Sequence, residues 1–179
     1  MLKGVTQEKK DECSARGNLA ANAFISYLEW KYGGSIIMAD AHTDMNDHID
    51  FFYTSKEGKK ISIDFKAIKF ITKLVDDMSP DDAYNILELT AVNGSAGWVY
   101  GKADYICFET LDEWLWVPRI KLVEFVDKFV NKDKLTVGTI CLPLYHLERY
   151  QRLNRKDIIT VVTKEELQQL SIKIDKKPK

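Results

Sequence analysis

HIDFFYTSKEGKKISIDFKAIK, residues 48–69, holds two short runs of alternating apolar and polar residues on either side of a charged turn. In ISIDFKAI, Ile61, Ile63, Phe65 and Ala67 alternate with Ser62, Asp64 and Lys66, so a pleated strand turns Asp64 and Lys66 to the same side. In HIDFFYT the alternation sets Ile49, Phe51 and Tyr53 against His48, Asp50 and Phe52, and SKEGKK supplies a glycine-containing hairpin turn. Pairing of the two strands would bring Asp50 next to Asp64. Two carboxylates on adjacent strands suit a hard divalent cation such as magnesium, which takes a few protein oxygens and keeps positions for water and phosphate. A lysine beside them can orient or deprotonate a nucleophile, or neutralise charge growing on a phosphoryl group. The combination is that of phosphodiester hydrolysis.

Working outward, the 179 residues suffice for one globular domain, 1–179, with a sizeable core. The formal net charge of −1 means that any contact with nucleic acid must come from a local basic patch, which argues against a general DNA-coating role. Cys13, Cys107 and Cys141 are odd in number and far apart, with no CxxC, so neither a disulfide framework nor a zinc ribbon is expected. No stretch resembles a signal peptide or reaches membrane-span length, and a cytoplasmic protein without membrane contact is expected.

Upstream, residues 6–32 have helical spacing in Arg16, Ala20, Ala23, Phe24, Tyr27 and Leu28, ended by Gly33-Gly34. SIIMAD, residues 35–40, reads as a strand. The loop AHTDMNDH after it fails as a calcium loop, because it lacks the central glycine and Phe51 stands where a bidentate glutamate is needed. Its Asp44 and Asp47 remain minor metal-site candidates, and His42 and His48 read as solvated.

Asp50, the hairpin and Asp64-Phe65-Lys66 together resemble the PD-(D/E)XK nuclease superfamily, with Ile49 where the family often has proline. The resemblance implies a restriction-endonuclease-like α/β fold, a mixed central sheet built from about residues 35–110 and flanked by helices. It implies a magnesium- or manganese-dependent DNA endonuclease, with Asp50 and Asp64 on the metal and Lys66 assisting the attacking water. The family's first helix packs on the sheet and often adds a glutamate to the metal site. Here the candidates are Glu8, Glu12 and Glu29, while the G-x-x-x-E pattern would fall on Gly17 to Ala21 and so lacks its acid.

Downstream, NILELTAVNGSAGWVYGKADYI looks like a segment that follows the D-x-K strand in phage and mobile-element nucleases of this superfamily. That likeness makes Glu88 the best candidate for the third carboxylate, for catalysis and metal binding, and would put the protein in the host cytoplasm if phage-encoded. NILELT reads as a strand with Ile86, Glu88 and Thr90 on one side, and ADYICFET as another. The glycines between them match no nucleotide-binding fingerprint. Trp98 and Tyr100 could stack on a base or pack in the core, and Lys102 could contact phosphate or be a surface lysine. A polar turn with a short helical piece from Ser79-Pro80 is expected between these parts.

Residues 119–132 form an amphipathic helix with Leu122, Val123, Val126, Phe129 and Val130 buried. LTVGTICLPL is a short apolar run broken by Gly138 and Pro143. HLERYQRLNRKD, residues 146–157, read as a helix, aligns Arg149, Arg152, Arg155 and Lys156 as a rail for DNA phosphates. IITVV reads as a strand, Thr163 to Glu166 as a capping box, and SIKIDKKPK as a frayed basic tail. Many members of the superfamily act as dimers, which leaves a homodimer open. Two rivals stand beside the nuclease: a catalytically incomplete nuclease fold that binds nucleic acid, and a viral accessory protein using Trp98, Trp114 and Trp116 at a protein interface.

Overall fold

The computed structural model describes residues 7–68, 82–138 and 146–178. The turn around Ser79-Pro80, the part of the LTVGTICLPL run beyond Gly138 and the Glu8 side chain lie outside the described residues.

Helix α1, Gln7–Tyr32, runs unbroken through Gly17 and buries Phe24, Tyr27 and Leu28, while Arg16 and Ala23 face solvent. Gly34 follows it at φ +90, where a Cβ would lie 2.2 Å from the Thr54 carbonyl oxygen, so only glycine fits the close return to the sheet. Strand β1 is Ser35–Met38. The expected polar loop is instead helix α2, Ala41–Asp47, because Asp40 caps it by accepting from the Thr43 N–H at 2.7 Å and His48 closes it in the left-handed region. Strands β2, Phe51–Thr54, and β3, Lys60–Lys66, make the expected hairpin around Gly58.

Then come β4, Tyr84–Thr90, a 3-10 turn at Trp98–Tyr100, β5, Tyr105–Glu109, and β6, Glu113–Pro118. Helix α3, Arg119–Phe129, buries Leu122 and Val126 but leaves Phe129 half exposed at its last position. The chain continues through β7, Asn131–Gly138, β8, Glu148–Arg152, β9, Ile158–Thr163, helix α4, Lys164–Leu170, and β10, Lys173–Lys176. The predicted capping box opens α4, with Thr163 and Glu166 each bonding the other's backbone N–H.

These elements make a mixed α/β architecture with two mixed sheets. The six-stranded sheet has the order β1-β2-β3-β5-β6-β10, antiparallel throughout except for the parallel pair β3/β5. The second sheet has the order β4-β9-β8-β7. Three expectations change here. NILELT, which was to join the central sheet, pairs with β9 in the second one. Residues 148–152 are a strand and not a helix, since pairing with β7 and β9 buries Tyr150. The basic tail is not frayed: β10 pairs with β6 and buries Asp175.

The six-stranded sheet carries a core on each face. On one, α1 lays Phe24, Tyr27 and Leu28 over Phe51, Ile63, Phe65, Trp114 and Trp116, with Phe24 stacked on Phe65 at 5.1 Å between centroids. On the other, Ile106, Phe108, Leu115 and Val117 meet Leu87 and Leu89 of β4, Trp98, and the inner faces of α3 and α4. Among the described residues no helix is long and apolar enough to cross a membrane.

Candidate active site

Strand alternation decides which core each side chain of the hairpin enters. Ile49, Phe51, Tyr53, Ile63 and Phe65 are buried, and Phe51, Ile63 and Phe65 pack beneath α1. Asp50, Asp64 and Lys66 therefore turn to the opposite face of the sheet. Asp50 sits just before β2, where its N–H donates to the Ile63 carbonyl at 2.9 Å and its Oδ2 accepts the Phe65 N–H at 2.6 Å. Both bonds cross to β3 and fix the carboxylate against that strand.

Asp64 lies in the middle of the sheet, between β2 and β5, and is only 2% exposed. Its Oδ1 accepts the Lys66 ammonium at 2.6 Å, and its Oδ2 is buried without a hydrogen-bond partner. Burial pushes the Asp64 carboxyl up to about 7; the Lys66 ammonium pulls against that rise and the neighbouring Asp50 charge adds to it. A buried carboxylate oxygen with no donor is costly in a folded core unless something occupies it.

Lys66 ends β3 with its ammonium 4.7 Å over the centre of the Trp98 ring, which itself packs 6.0 Å from the Phe108 ring. Trp98 is thus a buried platform for the lysine and not a surface for stacking bases. Gly97 lets the turn come this close: its N–H donates to the Leu89 carbonyl at 3.0 Å, and a Cβ there would lie 2.1 Å from the Glu88 carbonyl oxygen. At the other end of β3, the Asp104 carboxylate accepts from the Ser62 N–H at 2.7 Å and its hydroxyl at 2.8 Å, clamping β3 to the start of β5. The sequence reading passed over Asp104, although Ser62 shares a face with Asp64 and Asp104 immediately precedes a strand.

The other candidates lie elsewhere. Glu88 is on β4, in the second sheet, with its side chain opposite to the core-facing Leu87 and Leu89. Among the described residues no three His, Cys, Asp or Glu side chains group to hold a metal ion, so Glu88 does not join Asp50 and Asp64. Glu12 and Glu29 are exposed on α1, across the sheet from Asp64, and Ala21 packs into the core beneath that helix. Asp44 is exposed on α2, and Asp47 pairs with Lys102 at 2.8 Å, which makes Lys102 a tethered surface lysine.

The arginine rail dissolves with the helix that was to carry it. On strand β8, Arg149 and Arg152 point to opposite faces. Arg152 pairs with the buried Asp157, Arg149 donates to the Lys132 carbonyl at 2.8 Å, and Arg155 and Lys156 are exposed in the following turn. Trp114 and Trp116 are buried under α1, so neither is free to form the protein interface considered from the sequence.

A second buried carboxylate, Asp175, was missed altogether. It accepts from Lys31 at 2.8 Å, Tyr32 at 2.6 Å and the Trp116 indole at 3.0 Å. With every oxygen engaged it reads as a structural clasp. Asp64 differs in having one oxygen left over.

No protein-family model, no curated protein and no solved structure gives a match to this chain.

Proposed function

We propose that the chain is a metal-dependent DNA phosphodiester hydrolase, an endonuclease of restriction-endonuclease-like design. The observation that carries the reading is the unpartnered, buried Oδ2 of Asp64 beside Asp50, with an ammonium on the other oxygen. The helix that covers the sheet, the hairpin with its two carboxylates and the D-x-K on an inner strand all support it.

The donor set fits magnesium or manganese, because magnesium is commonly held by one or two carboxylates together with water and substrate phosphate. When bound, such an ion supplies Lewis-acid polarisation of the phosphoryl group. Asp64 offers Oδ2 once ionised, and Asp50, fixed through Oδ2 by the Phe65 N–H, offers its other oxygen. Lys66 sits over Trp98 and is placed to neutralise charge developing on a phosphate that reaches Asp64. Asp104 keeps β3 in register and so keeps Asp64 and Lys66 aligned.

A specific observation favours one rival. With Glu88 in the second sheet and Ala21 in the core, the pair gains no third carboxylate among the described residues, as a catalytically incomplete nuclease fold that binds nucleic acid would also have it. The deciding experiment is cleavage of supercoiled plasmid, branched and single-stranded DNA with magnesium or manganese, using wild type, Asp64→Ala and Lys66→Ala. Metal-dependent cutting lost in both variants is expected. The absence of cutting on every substrate, together with no calorimetric metal binding, would overturn the hydrolase.

A further inference from the structure

A cleft of about 210 Å³ opens where the 3-10 turn, α3 and the second sheet meet. Its floor is aliphatic, made by Leu89, Val126, Val130 and Ile158. Its rim carries Tyr100, Lys132 and Arg149. The volume is below the range of about 300–1,000 Å³ usual for drug-sized ligands, which limits the cleft to one compact ring system.

The rim is built to donate. Arg149 spends one N–H on the Lys132 carbonyl at 2.8 Å, and among the described residues its guanidinium pairs with no carboxylate. A guanidinium left with several free donors matches the paired oxygens of a phosphate. Lys132 is paired with Asp127 at 2.8 Å, but both side chains are half exposed or more, so the pair is weak and exchangeable. Burial and the Asp127 charge hold the Tyr100 phenol above its ordinary range against the pull of Lys132 and Arg149, so it donates at neutral pH.

The location ties this cleft to the carboxylate pair. Tyr100 closes the turn that Trp98 opens, and the Trp98 ring lies under the Lys66 ammonium. The turn that brings Tyr100 to the cleft rim thus also carries the ring beneath Lys66.

We propose that this cleft is a nucleotide-binding subsite, taking one nucleotide of a single strand, with its base on the aliphatic floor and its phosphate on Arg149. The inference rests on the nuclease reading for its substrate, yet it can be tested without cleavage.

The test is binding of a fluorescein-labelled oligothymidylate in EDTA, measured by anisotropy over a salt series, with wild type, Arg149→Gln and Tyr100→Phe, each checked for an unchanged thermal melt. Arg149→Gln should weaken binding at least tenfold and reduce the slope of log affinity against log salt by about one. Tyr100→Phe, which removes only the hydroxyl, should weaken it several-fold. In parallel, thymidine 5′-monophosphate should shift the NMR methyl signals of Val126 and Ile158, and inorganic phosphate should not. Wild-type affinity in both variants would overturn the subsite, and equal shifts with inorganic phosphate would overturn its base-binding part. Arg149-dependent binding without cutting of any substrate and without calorimetric metal binding would sink the nuclease and leave the subsite standing. Cutting with an unchanged KM in Arg149→Gln would do the reverse.

Discussion

Lys31, in the last turn of the first helix, closes on Asp175, in the last strand, at 2.8 Å. The contact joins residues 144 positions apart. Burial acts to raise the Asp175 carboxyl, but the bonds from Lys31 and Tyr32 outweigh it and hold the group below its ordinary value. The stabilisation is therefore present above the unfolded carboxyl pKa and is lost as pH falls through the folded one.

Asp175→Ala leaves the Trp116 indole and the Tyr32 hydroxyl without their shared acceptor. It is expected to cost about 3 kcal/mol at pH 7 in urea denaturation, since breaking a buried pair by removing one partner is costly. Tyr32→Phe keeps Lys31 and Trp116 on the carboxylate and should cost about 1 kcal/mol. A cost for Asp175→Ala no larger than that for Tyr32→Phe would show that the clasp is not holding the helix.

Asp64, with Oδ1 on Lys66 and Oδ2 without a hydrogen bond, has the opposite sign. Asp64 titrates near 3.8 when unfolded and about 7 when folded, so its contribution to stability is full below the first value and is lost as pH rises to the second. Asp64→Asn removes the ionisation and should stabilise the protein by about 2 kcal/mol at pH 8, roughly 4–8 °C in Tm. The gain should shrink to near zero at about pH 3, below the unfolded value, where the carboxyl is neutral in both the folded and the unfolded chain. A gain equal at both pH values would mean that the charge is not its source.

Gly97 is a site of close approach and not of unusual backbone. Gly97→Ala drives a methyl into the Glu88 carbonyl and must displace Trp98 from β4. We expect a loss of about 1–3 kcal/mol. Tryptophan fluorescence should change with it, and any cleavage should fall, because the platform under Lys66 moves.

Thr163 caps α4 by accepting the Glu166 N–H at 3.2 Å, while the Glu166 carboxylate accepts the Thr163 N–H at 2.8 Å. Thr163→Ala should cost about 1 kcal/mol in equilibrium unfolding. Thr163→Ser should recover most of it, which separates the cap from packing of the methyl group.

Local patterns were readable where both partners of a contact lie close in sequence. The period-2 alternation around Asp50 and Asp64 gave the hairpin, its buried face and the meeting of the two carboxylates, because one tight turn sets the register. The helical spacing of Phe24, Tyr27 and Leu28 and the capping box at Thr163 were equally local. What stayed hidden depended on distant partners. Nothing within NILELT says that it pairs with β9 some seventy residues on and not with its neighbours, and that choice removed Glu88 from the site. The arginines of residues 146–157 have a spacing that suits a helix face, but Tyr150, buried between two strands, settles the conformation as extended. In the tail, the inward residue of KIDK is Asp175, so a reading that sends carboxylates to solvent takes the strand for a frayed end.

Strand β10 also has a protective role. It covers the outer edge of β6, Glu113–Pro118, whose Trp114 and Trp116 serve one core while Leu115 and Val117 serve the other. A strand that is apolar on both faces and rich in aromatic and branched residues is, once unpaired, a template for joining another chain edge to edge. Nascent or nicked chains that lack residues 173–176 are the ones at risk of aggregation, and four residues of mixed charge are what keep that surface shut.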